Sequence, residues 1–176
     1  MTLADFTAPG LILSHLAGRD APSVLQELSD ALRREGRIGD TVPLYSAALK
    51  RETLITTHVG AGIALPHARM TGLKQLSFAL GRSEQPLAWE SGKNGSVTLV
   101  FLLAIPAQDS NEYLQLISGL SRFAREGNLI AQLRSARDAE AIFQILKQVP
   151  VWTKSNSTPA QPRTASTPGP ESLKSN

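Results

Sequence analysis

The chain has 176 residues, 41% of them hydrophobic and none of them cysteine, so it suits one ordinary domain with a buried core, and disulfides, thiolate chemistry and cysteine-ligated zinc are excluded. The net charge is +3, of which Lys154, Arg163 and Lys174 against Glu171 place +2 after residue 150 and leave +1 for the rest. With aromatic residues at 5%, neither part carries the basic, aromatic-rich surface of a nucleic-acid binder.

No run approaches the roughly 18 apolar residues of a membrane span, and no basic-then-apolar N-terminus signals secretion. The expectation is a cytoplasmic protein without direct membrane insertion. Residues 1–150 read as one mixed α/β domain, a central β-sheet with helices on both faces. Leu11-Ile12-Leu13 suits a first strand. Asp20 can cap a helix that tolerates Pro22 in its first turn and carries Val24, Leu25, Leu28 and Leu32 on one stripe until Gly36. A second helix starts near Thr41, turns Leu44, Tyr45, Ala48 and Leu49 inward, and delivers Arg51 and Glu52 to the following loop.

Ile63-Ala64-Leu65 reads as a short strand that stops at Pro66. Pro66 fixes its own φ and holds Leu65 extended, which leaves His67 little backbone freedom. Gln75–Leu80 and Val97–Leu103 are two further strands, the second apolar enough to be central and covered on both faces. Asp109 or Ser110 then caps a long helix with Tyr113, Leu114, Leu116, Ile117, Leu120, Phe123 and Ala124 on a wide apolar face, and Gly127 ends it. Two shorter helices follow, one through Leu129 and Leu133, the other after Asp138 with Ile142, Ile145, Leu146 and Val149. Residues 151–176 are rich in Ser, Thr and Pro and nearly free of large apolar side chains, the composition of a disordered tail.

The chemistry concentrates in Gly60-Ala61-Gly62-Ile63-Ala64-Leu65-Pro66-His67-Ala68-Arg69. An imidazole is a good nucleophile near neutral pH, and a phosphoryl group arriving on it needs N–H and hydroxyl donors with positive charge nearby. Glycines, Thr56, Thr57, Arg51 and Arg69 have that composition. Taken alone, His67 also reads as a hydrogen-bonded histidine at a strand end, and Arg51 as a solvated helix-closing residue. His15, His58 and His67 lack metal-ligand spacing, and no Walker motif, Gly-x-Ser-x-Gly elbow or dinucleotide fingerprint occurs.

The stretch from Leu49-Lys50-Arg51-Glu52 through Thr56-Thr57-His58-Val59-Gly60 to Ile63-Ala64-Leu65-Pro66-His67 resembles the active-site segment of IIA components of the bacterial phosphoenolpyruvate:sugar phosphotransferase system. The likeness is to the fructose/mannitol/nitrogen-regulatory class. Gln85-Pro86-Leu87 and Ile105-Pro106-Ala107 are similar to that family's later landmarks. The resemblance implies a phosphocarrier that takes phosphate from an HPr-like protein onto His67, without metal or organic cofactor. It then passes the phosphate to a IIB component or uses it as a regulatory signal. Thr56, Thr57, Arg51, Arg69 and Tyr113 are implied phosphate- or partner-binding residues. No IIB or IIC segment is read in this sequence, which favours regulation. Ile55, His58 and Ala61 stand where the family usually has Gly, Gly and Asn; Ile55 implies a different loop path, and His58 reads as a solvent-facing loop residue or a second titratable group. Tyr113 stands where many members place a second histidine. These departures leave open a phosphate-independent interaction module on the same fold.

Overall fold

The computed structural model describes residues 1–90, 95–108 and 111–151. Among these, five strands build one sheet: β1 (Ile12–Leu13), β2 (Ile63–Ala64), β3 (His67–Met70), β4 (Ser77–Leu87) and β5 (Val97–Pro106). β5 is central. It pairs antiparallel with β4 on one side and parallel with both β2 and β3 on the other, while β1 lies parallel to β4. Its near-continuous apolar sequence follows from burial on both faces. Phe101, Leu103 and Ile105 enter one core; Val100, Leu102 and Ala104 enter the other.

Helices cover both faces, as expected. α1 (Ala21–Arg34) and α2 (Thr41–Leu54) pack on one side. α3 (Asn111–Phe123), α4 (Gly127–Ser135) and α5 (Ala139–Leu146) pack on the other, with a 3-10 turn at Leu3–Phe6. Asp20 caps α1 by accepting from the Ser23 N–H at 2.9 Å, and Asp138 caps α5 through the Ala141 N–H at 2.8 Å.

β2 stops before Pro66, as expected, but the same path resumes beyond it as β3, and three other expectations need correction. Ile63 pairs with Leu99 and His67 with Leu103, so β2 and β3 are one path in constant register. Pro66 accepts from the Leu103 N–H at 2.9 Å but has no N–H to return, and this interrupts the ladder without turning the chain. β4 runs to Leu87 instead of stopping near Leu80, because Arg82 and Ser83 are buried strand residues despite their polarity. α3 ends at Phe123, and Gly127 opens α4 rather than closing α3. Val151, read as the first tail residue, is buried and donates its N–H to Met1 O. The expected α3 cap at Asp109 or Ser110 and the tail from 152 to 176 lie outside the described residues.

Candidate active site

Side chains alternate along the β2–β3 path. Ile63 and Leu65 enter the core under α3, whereas Ala64 and Ala68 face α1 and α2. The alternation places His67 and Arg69 on the α3 side. There the His67 ring meets the Tyr113 ring from the first turn of α3, with centroids 5.8 Å apart and planes inclined 43°. The Arg69 guanidinium lies 5.3 Å from the centroid of the same Tyr113 ring, in cation–π range. The structure therefore brings His67, Arg69 and Tyr113 together.

His67 is half-buried, and its Nδ1 lies 2.8 Å from the Leu65 carbonyl oxygen. A carbonyl only accepts, so Nδ1 carries the proton and the lone pair of the neutral ring sits on Nε2.

The segment before β2 folds back along its outer edge. Leu65 donates its N–H to Thr57 O at 3.1 Å, Val59 donates to Ile63 O at 2.9 Å, and His58 bridges Ala64 between them. The turn uses three consecutive positive-φ residues, Gly60 at 92°, Ala61 at 52° and Gly62 at 70°. Gly62 is required twice over, since a Cβ there would sit 2.8 Å from Ser96 O. Ile55 is plain extended backbone at φ −145°, so its β-branched side chain fits without strain.

The two threonines do not reach for the imidazole. Thr57 is buried; its hydroxyl donates to Glu52 Oε2 at 2.5 Å and its N–H to Glu52 Oε1 at 2.8 Å. The Thr56 hydroxyl donates to the same carboxylate at 3.1 Å, and Trp89 Nε1 donates to it at 2.7 Å. Glu52 is thus a buried carboxylate with four donors that the sequence reading leaves without a role. The available signal was its spacing, four and five residues before the two hydroxyls. Arg51 is exposed in the last turn of α2 and makes no ion pair among the described residues. His58 is not solvent-facing: it is half-buried with Nδ1 3.4 Å from Glu90 Oε1, and its Nε2 has no partner among the described residues.

The family described as "Phosphoenolpyruvate-dependent sugar phosphotransferase system, EIIA 2" matches residues 5–149. The chain belongs to this EIIA family. It is 33% identical over 150 residues to a nitrogen regulatory protein of Bradyrhizobium diazoefficiens, covering 85% of this chain and 97% of that one. Among solved structures, the nitrogen regulatory protein IIA-Ntr of Neisseria meningitidis superposes with a TM-score of 0.73 at 24% identity, over 82% of this chain and 98% of that one. The Escherichia coli mannitol IIA in complex with phosphorylated IIB gives 0.65 at 18% identity, over 80% and 96%. These likenesses agree with the EIIA fold. No helix among the described residues is long and apolar enough to cross a membrane.

Proposed function

We propose that this EIIA domain is a histidine phosphocarrier that accepts a phosphoryl group on Nε2 of His67 from an HPr-like protein. The observation that carries the reading is the Nδ1–H bond to the Leu65 carbonyl, which leaves Nε2 as the nucleophile in a ring held from behind. In the transfer, the P–N bond on the donor's histidine breaks as the Nε2–P bond forms. The Leu65 carbonyl cannot take a proton, so Nδ1–H stays and the positive charge gained by the ring is offset by the phosphoryl oxygens. Such a reaction needs positioning and charge stabilisation more than acid–base machinery. Arg69, stacked on Tyr113 beside the ring, supplies a guanidinium cation close to the incoming phosphoryl group.

The phosphorylated domain then acts as a regulatory signal, a reading supported by the likeness to a nitrogen regulatory protein over nearly its whole length. Transfer to a IIB component is the other outlet, supported by the mannitol complex.

The test is incubation with phosphoenolpyruvate, Enzyme I and HPr, read by intact mass. The native chain gains one acid-labile phosphoryl group and His67→Ala gains none. No adduct from an HPr shown to be active on another acceptor overturns the phosphocarrier reading. It would favour the phosphate-independent module, for which Tyr113 in place of a second histidine is the supporting feature.

A further inference from the structure

Thr57 and Leu65 stand directly opposite each other in the short antiparallel pairing that flanks β2. Such a pair ordinarily exchanges two bonds, each residue giving its N–H to the other's carbonyl. Here only one is made, from Leu65 N–H to Thr57 O at 3.1 Å. The Thr57 N–H instead goes to Glu52 Oε1 at 2.8 Å, and the Leu65 carbonyl that it would have shared accepts from His67 Nδ1 at 2.8 Å. We infer that Glu52 is a positioning residue for His67: by capturing the Thr57 N–H, it removes a competing donor from the Leu65 carbonyl, whose in-plane approach the imidazole then has to itself, and so strengthens the contact that fixes the tautomer and orientation of the ring.

The energetics favour this division of labour. A carboxylate 8% exposed is costly to bury unless its lone pairs are filled. Glu52 meets that cost with the Thr56 hydroxyl, both donors of Thr57, and Trp89 Nε1. A charged acceptor outcompetes a neutral carbonyl for an N–H, so the exchange runs toward Glu52. Glu52 sits in the last turn of α2, which packs against the core on the far side of the sheet from α3. It thereby ties His67, on the α3 side, to the helix layer behind it. The inference rests on His67 being the reacting group, but its test does not depend on transfer.

The decisive experiment is multinuclear NMR of the full chain, without any donor protein. Through-hydrogen-bond couplings are expected from the Thr57 amide to the Glu52 carboxyl carbon and from His67 Nδ1 to the Leu65 carbonyl carbon. The imidazole 15N shifts should report the Nδ1–H tautomer. A coupling from the Thr57 amide to the Leu65 carbonyl carbon, or an Nε2–H tautomer, overturns the inference in the native protein. In Glu52→Met, which removes the acceptor at similar volume, the Nδ1–H share should fall, while Glu52→Gln, which keeps one acceptor oxygen, should restore it. Phosphoryl uptake by Glu52→Met should slow at least about tenfold with the donor KM little changed, as expected for a misaimed nucleophile. A folded Glu52→Met with native 15N shifts overturns the proposal. If Glu52→Met does not fold, the couplings in the native protein decide. Failure of the native chain to take phosphate would overturn the phosphocarrier reading alone.

Discussion

Ala61 occupies left-handed backbone between two glycines, and it is the one non-glycine residue to do so among the described residues. A Cβ in that region is strained, by about 1 kcal/mol or more. The strain persists because the turn is closed by Ile63 N–H on Gly60 O and held from outside by the Arg134 guanidinium on Ala61 O. Ala61→Gly is expected to raise stability by about 0.5–1 kcal/mol in urea unfolding, because relief of the strain exceeds the entropy that glycine adds to the unfolded chain. Unchanged or lower stability would show that the turn stores no strain at this position. Residue-scale chemistry also separates the two threonines from the arginine. Thr56 and Thr57 spend their hydroxyl protons on Glu52, whereas Arg69 lies against Tyr113 beside His67.

Among the elements, α1 shows how local sequence alone can specify a boundary. Asp20 accepts from the hydroxyl and N–H of Ser23, and these bonds, the hydroxyl first, hold its carboxyl below the ordinary carboxylate range. A depressed folded-state pKa adds stability that is present above the unfolded value of about 3.9 and is lost as pH falls through the lower folded value. Asp20→Ala should therefore cost about 1 kcal/mol near neutral pH, and the difference from the native chain should shrink below about pH 4. A difference that is the same at pH 7 and pH 3 would contradict the cap. α4 is held differently. The buried Arg82 of β4 donates to the carbonyls of Leu133, Arg134 and Ala136 at 3.0, 3.1 and 2.7 Å, so a strand side chain caps a helix that the sequence leaves without a C-terminal glycine.

For the whole molecule, one sheet divides two cores, and β5 contributes to both. Phe101 is fully buried, with Phe78 and Phe123 rings at 5.5 and 6.2 Å. Phe101→Ala removes the centre of that cluster and should cost about 3–5 kcal/mol. Because β5 links the two cores, unfolding should remain one transition, with near-UV and far-UV circular dichroism changing together. Two separated transitions would mean that the layers fold independently.

Much of this was legible along the chain. The apolar run of β5, the Asp20 and Asp138 caps, the stripes of α1 and α5, and the Ala-Leu-Pro-His segment are local patterns whose periodicity or turn chemistry admits few alternatives. The second half of β4 was hidden because Gly81, Arg82, Ser83, Gln85 and Pro86 carry no strand signature, and pairing with β5 overrides their local preferences. Gly127 could stop one helix or start another on sequence grounds, and packing chose. His67 was marked by its neighbours in sequence. Its tautomer rests on the Leu65 carbonyl two residues away, but its contact with Tyr113 and the role of Glu52 came from residues on different elements. Hydrogen bonds join whichever donors and acceptors the fold brings within about 3 Å, and that proximity is a property of tertiary structure alone.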